Sequence, residues 1–276
     1  MKPLLVLDSH YLMHRAFHAA PDLSWQGKLT GAIYGFFKTL GALKDEFSSD
    51  RFAFCFEHPH LLRRDIYPDY KCKRRTVLAP GENRARLHLA LQITELRKRL
   101  LPRVGFKNVF CEDGYESDDL MAALALDAKG ETILVTSDSD MYQCLRPTVM
   151  IYSPQGKTLK TEAWFEKKYG IWPARWAVLK ALTGCIGDGV PGIRGVGEVT
   201  ALRYLQGELA HSSKPFQAIT SHEGKAIVRR NRCLVELPFS GCPVPRVQAD
   251  KVDERSWYAI CDELGMKSIV GRPPTL

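Results

Sequence analysis

The chain has no run of about 18 apolar residues that would span a bilayer. Its start, MKPLLVLD, reaches Asp8 too early to hold a secretory apolar stretch and cleavage site. A cytoplasmic protein is expected, with no membrane partner. The eight cysteines, at 55, 72, 111, 144, 185, 233, 242 and 261, never form a CxxC pair or a zinc-finger spacing. Free thiols are therefore expected, several of them in the core. Repeats and low-complexity tracts are absent as well. Acid is in deficit, with 31 Asp and Glu against 39 Lys and Arg, and the formal charge of +8 favours a polyanionic partner. What is present is enough for a core: 276 residues at 45% hydrophobic content fit one large domain or two ordinary ones.

PLLVL at residues 3–7 reads as a buried strand, and Ile33, Phe36, Phe37 and Leu40 recur at helical spacing between Thr30 and Leu43. Further strands are expected at 52–56, 108–111 and 132–136, and a helix over Ser117–Asp127. Alternating strands and helices predict an α/β fold with a mostly parallel sheet, whose ligand site lies at the carboxyl ends of the strands. Beyond about residue 160 the pattern changes to helices and glycine turns: 164–169, 174–183 and 199–205. Two domains are expected, 1–160 and 161–276, with 214–225 as a flexible loop.

Three strands run into acids: Asp8 after PLLVL, Glu57 after FAFCF, and Asp138 with Asp140 after ILVTS. Residues two apart in an extended chain share a side, so Asp138 and Asp140 can face one spot. A polar turn capped by Asp138 or Ser139 would use the same residues. In GYESDDL, Glu116, Asp118 and Asp119 precede a helix, where Ser117 or Asp118 can cap. Capping explains one or two acids. A loose ring of carboxylates suits one or two Mg²⁺ ions that also meet phosphate.

The stretch RRDIYPDYKCKRR, Arg63 to Arg75, interleaves Tyr67 and Tyr70 with cations. It reads either as a solvated charged face or as a strip where rings stack on bases and cations grip phosphates. Gly192, Gly195 and Gly197 in VPGIRGVGEVTALRYL lead into a helix without a preceding strand. That argues against a dinucleotide fold and suits a helix–turn–helix docked on a duplex backbone, although a tight interhelical turn needs the same glycines.

Taken in order, VLDSHYLMHRAFHA, TGAIYGFFKTL, RDIYPDYKCKRR, GYESDDL, VTSDSDM and GDGVPGIRGVGEVTA resemble the 5′-nuclease family of flap endonucleases, phage 5′-exonucleases and the nuclease domain of bacterial DNA polymerase I. The resemblance covers most of residues 4–207. It implies a PIN-like catalytic domain, a helical arch at about 60–100, and a smaller helical domain with a helix-three-turn-helix. It implies a first metal site from Asp8, Glu57, Glu116, Asp118 and Asp119, and a second from Asp138, Asp140 and Asp188. Lys71 and Arg74 stand where the family contacts the scissile phosphate. Arg64, Tyr70, Arg75 and the three glycines are the expected DNA contacts. The implied cofactors are two Mg²⁺ or Mn²⁺ ions and a K⁺ held by carbonyls of the glycine turn.

The implied activity is metal-dependent hydrolysis of DNA at a 5′ end, flap or junction in replication or repair, RNA–DNA hybrids included, by a monomer in a bacterial cell or phage-infected host. Two departures stand out. Glu57 replaces a usual Asp, and Cys185 replaces a second-site aspartate, where a neutral thiol is a poor Mg²⁺ ligand. The alternatives are a structure-specific DNA-binding protein with weakened catalysis and a PIN-class ribonuclease.

Overall fold

The computed structural model describes residues 2–72 and 80–275. Along the chain come β1 (Leu4–Asp8), α1 (Ser9–Ala19), a small hairpin of β2 (Ser24–Trp25) and β3 (Lys28–Leu29), α2 (Gly31–Phe47), β4 (Phe52–Cys55), α3 (Arg63–Ile66), α4 (Pro80–Glu95), α5 (Leu101–Val104) and β5 (Val109–Phe110). They are followed by α6 (Ser117–Asp127), β6 (Thr132–Val135), β7 (Val149–Ser153), β8 (Thr158–Lys160), α7 (Glu162–Tyr169) and α8 (Trp176–Thr183). A two-residue pair, β9 (Gly184–Cys185) and β10 (Val190–Pro191), leads to α9 (Glu198–Gln206), α10 (Lys214–Thr220), α11 (His222–Val235) and α12 (Glu254–Glu263).

The main sheet runs β5-β4-β1-β6-β7-β8, parallel except for β8 at its edge. Continuous apolar runs are what such doubly covered strands require. Alternation divides them between two cores. Leu5, Leu7, Phe52, Phe54, Ile133 and Val135 enter one cluster with α1, α2 and α12. Leu4, Val6, Ala53, Cys55 and Leu134 enter the other with α6, α7, α8 and α9. Asp8 continues the side of Leu4 and Val6 and so comes out beside α6. The chain order reverses between β1 and β6, which opens the crevice where α/β sheets bind ligands.

One expectation changes. The segment 214–225 forms α10 and the start of α11, each capped by a serine: Ser213 accepts from the Phe216 amide and Ser221 from that of Gly224. Its pattern is weak because only part of it faces the core, with Ile219 and Gly224 buried. Residues on both sides of the change of pattern near 160 share apolar clusters. Phe165, Trp176 and Leu179 share a cluster with the sheet, and Trp257 of α12 returns to pack edge-on against Phe37, 5.2 Å between ring centres.

Candidate active site

Asp8 ends β1 and caps α1. Its Oδ1 accepts from the Tyr11 amide at 3.0 Å and from the Ser117 hydroxyl at 3.3 Å, and its Oδ2 accepts from the Thr136 hydroxyl at 3.3 Å. Burial lifts its carboxyl from 3.8 to about 6, and the charge of Asp138 adds to the lift. Asp138 caps the short 3-10 turn Ser139–Cys144, accepting from the Asp140 amide at 2.8 Å. Burial raises its pKa too, with Asp140 as the next cause. Asp118 is raised well above the carboxylate range, by burial first and then by Asp8 and Asp138. Three neighbouring carboxylates thus disfavour one another's charge. Oδ1 of Asp118 is buried and has no hydrogen-bond partner among the described residues.

The helix start explains why Asp118 is spared. Neither Ser117 nor Asp118 is the cap: Glu116 is, and Asp119 closes a capping box by accepting from the Glu116 amide at 3.0 Å. Asp118 lies between them, at the second helical position. Asp119 is fully consumed. Its two oxygens accept from Arg63 Nη1 at 2.5 Å and Nη2 at 2.7 Å, and Oδ1 also accepts from the Phe239 amide at 2.7 Å. Its two oxygens thus accept four hydrogen bonds, from Arg63, Phe239 and Glu116, which tie the start of α6 to its surroundings.

Glu116 is also engaged. Tyr70 donates its hydroxyl to Oε2 at 2.8 Å, Arg63 Nη1 lies 3.1 Å from the same oxygen, and Lys71 Nζ bonds Oε1. Burial opposes its charge, yet Lys71 and Arg63 hold its pKa below the ordinary value. Lys71 has φ +53° and is buried, with Asp188 Oδ1 4.0 Å from its ammonium. Glu57 lies two residues past Cys55, the register partner of Asp8, and its amide donates to His10 Nδ1 at 3.0 Å. Burial, with the charges of His14 and Arg97, lowers His10 to about 4 and keeps it neutral, as that acceptor must be.

The second group of acids is altered by two neighbours. Lys180 of α8 places its ammonium 2.6 Å from Asp140 Oδ1 and 3.2 Å from the Ser139 hydroxyl. The Cys185 thiol points at Asp140 Oδ2, 3.8 Å away, and burial with the charge of Asp140 pushes its pKa up to about 12. Cys185 therefore faces the acids, as a neutral group.

The basic stretch departs most from expectation. Arg63 is 1% exposed; its Nε donates to the Leu234 carbonyl at 2.8 Å and its guanidinium lies 4.9 Å over the Phe239 ring. Tyr70, expected to stack on bases, is 4% exposed and held by Glu116, so it has no face to offer a nucleotide. Arg64 folds back onto the Pro59 carbonyl at 3.1 Å. Tyr67 carries Arg230 at 5.3 Å. Arg74 and Arg75 lie outside the described residues. Arg63 and Lys180 were not singled out in the sequence: a cation in a basic run reads as solvent-facing, and α8 shows only its apolar face.

The glycine turn lies between α8 and α9. A Cβ on Gly192 would be 2.2 Å from the Thr183 carbonyl carbon and oxygen, so close packing requires this glycine. Gly195 has φ +80°. Gly197 has ordinary extended backbone and open space where a side chain would be.

Residues 3–170 match the family described as "5'-3' exonuclease, N-terminal resolvase-like domain". Thermostable DNA polymerase I of Thermus aquaticus is 36% identical over 208 residues, 74% of this chain and 24% of that protein. DNA polymerase I of Mycobacterium leprae is 35% identical over 278 residues, 93% of this chain and 29% of that protein. The chain thus spans about a quarter of the length of these relatives. In fold it resembles the bacteriophage T5 5′-exonuclease with bound zinc, at TM-score 0.73 and 18% identity over 98% of this chain and 99% of that one. It also resembles human GEN1 in complex with Holliday junction DNA, at TM-score 0.56 and 14% identity over 95% and 68%. With a family match over more than half its length and polymerase relatives at 35–36% identity across most of it, the chain belongs to the 5′-3′ exonuclease family.

Proposed function

We propose that the chain is a divalent-metal-dependent nuclease that cleaves DNA near a 5′ end or flap junction, with Asp8, Asp118 and Asp138 as the core of its metal site. The single observation that carries this reading is the orphaned Oδ1 of Asp118, buried among acids that raise one another's pKa. A buried carboxylate oxygen without a donor costs about 1–3 kcal/mol or more, and a hard cation is the partner that removes the cost. Three carboxylate oxygens do not converge within 4.8 Å of one another among the described residues. Mg²⁺ keeps several of its waters and so does not require three carboxylate oxygens in direct contact with it.

When bound, the ion supplies a nucleophilic hydroxide at neutral pH and offsets charge on the scissile phosphate. The protein's own groups do the rest. Asp8 is fixed by Tyr11, Ser117 and Thr136; Arg63 and Asp119 lock the start of α6, so Asp118 stays aimed. Lys71 is buried between Glu116 and Asp188, and on this reading it exchanges them for a phosphate oxygen. Arg74 is assigned the same task. Glu57 and Glu116 act at longer reach, through water.

A second ion at Asp138, Asp140 and Asp188 fits less well, because Asp140 is paired with Lys180 and Cys185 is a protonated thiol. We therefore read that site as weak, with Lys180 supplying part of the positive charge. The glycine turn before α9 is the proposed duplex grip, with K⁺ on its carbonyls, and the partner is DNA bound by a monomer. Cleavage of labelled 5′-flap DNA, blunt duplex and single-stranded RNA, each with Mg²⁺, Mn²⁺ or EDTA, tests the assignment. Flap or 5′-end cleavage that stops in EDTA is expected; release from RNA alone would overturn it.

A further inference from the structure

A second constellation lies on the outer side of the strand ends. His58 and His60 flank Pro59 in the loop after β4, and Asp113 is in the loop after β5. The Nδ1 atoms of both histidines lie 3.0 Å from Oδ1 of Asp113. Among the described residues these form the one group of three His, Cys, Asp or Glu ligand atoms that all lie within 4.8 Å of one another.

Protons serve the group only in part. An Nδ1–H on His60 can donate to Asp113 Oδ1 at 3.0 Å, while the single Nδ1 lone pair of His58, where it accepts the His60 amide at 3.3 Å, brings no proton to the carboxylate. A cation at the centre takes both ring lone pairs and the carboxylate oxygen, giving up only that long amide bond. Two imidazole nitrogens and one carboxylate oxygen make a donor set for a transition metal of the zinc class, softer than the oxygen ligands Mg²⁺ selects. Ligands about 2.0–2.1 Å from a tetrahedral ion stand roughly 3.3–3.4 Å apart, so the 3.0 Å spacings need to open by only a few tenths of an ångström.

The two loops are already held together on either side of the cluster. The His58 amide donates to the Tyr115 carbonyl at 3.1 Å and the Leu62 amide to the Gly114 carbonyl at 3.0 Å. Both His60 and Asp113 are exposed, which leaves a fourth position open to water.

We infer that His58, His60 and Asp113 form a binding site for a zinc-class ion, which clamps the loop that begins at Glu57 to the loop that leads into Glu116. The inference does not rest on the nuclease reading, since none of the three residues belongs to the acidic edge. Bound there, the ion fixes the backbone approach of two carboxylates without touching them.

The test uses the full chain equilibrated with Zn²⁺ in excess Mg²⁺, freed of loose metal by gel filtration, then assayed for metal content, X-ray absorption and melting. One zinc per chain is expected, with nitrogen and oxygen ligands at about 2.0–2.1 Å and a zinc-dependent rise in melting temperature. Both effects are lost in the double variant His58→Gln, His60→Gln and kept in Asp118→Asn. Melting without zinc shows that the surface variant is folded. Zinc held equally by the double variant, a sulfur shell at about 2.3 Å, or equally weak uptake by both proteins, which means an adventitious ion only, would each overturn the site.

Discussion

Asp119 accepts four hydrogen bonds from Arg63, Phe239 and Glu116, whereas Oδ1 of its neighbour Asp118 accepts none among the described residues, so substitutions at the two positions should diverge. Asp119→Asn takes one of two carboxylates from a buried guanidinium, which keeps Glu116 at 3.1 Å and the Leu234 carbonyl. Losing the charged half of that bidentate pair should cost about 1–3 kcal/mol, seen as a lower midpoint in denaturant. Asp118→Asn removes a charge that its surroundings penalise, so in EDTA it should hold or raise the midpoint. Equal losses would show that Asp118 is structural. The same repulsion gives a pH dependence. Asp8 has its pKa raised from 3.8 to about 6, so the folded state binds a proton more tightly than the unfolded one. Its contribution is fully present below about pH 4 and is lost as pH rises through about 6, on the order of 2–3 kcal/mol. Denaturant titrations in EDTA from pH 4.5 to 7.5 should show this fall in the wild type and a shallower one in Asp8→Asn; identical slopes would refute it. Cys185→Asp restores a hard ligand beside Asp140 and should lower the Mg²⁺ needed for half-maximal cleavage. A less stable protein with an unchanged Mg²⁺ response would end the account of a weakened second site.

Among the elements, β1, β6 and α6 were legible because their signals are local: unbroken apolar runs for doubly covered strands, and acids and serine ahead of a helix. The acids gathered at the strand ends were legible for the same reason. The fate of the basic stretch was not. Whether an arginine faces solvent or core is decided by what packs on it, and for Arg63 that is the Leu234 carbonyl, 171 residues away. Tyr70 goes with it, turned inward onto Glu116. The glycine turn separates the two roles a glycine can have. Gly192→Ala forces a Cβ into the Thr183 backbone and should destabilise by about 1–3 kcal/mol. Gly197→Ala meets nothing within 4 Å and should melt like the wild type, yet weaken duplex binding if the backbone there approaches a phosphate. Unchanged duplex affinity in Gly197→Ala would leave the turn a packing device.

At the scale of the molecule, the sheet is shared by two apolar layers, and its carboxyl edge is where charge collects. Helices α7 to α9 join the sheet's core, and α12 closes the opposite layer. The acids are therefore carried on rigid strands and a capped helix, with the proposed duplex grip in the same packed body. No helix among the described residues is long and apolar enough to cross a membrane. The central claim is that the Asp8, Asp118 and Asp138 cluster holds the ion that cuts DNA. Single-turnover cleavage of a 5′-labelled flap by Asp118→Asn, beside its flap affinity in Ca²⁺ or EDTA, tests it most directly. The account predicts that cleavage falls by at least roughly a thousandfold while affinity stays within a few-fold, since the acid serves chemistry and the glycine turn serves grip. A variant that cuts the flap at the wild-type rate in Mg²⁺ would contradict it.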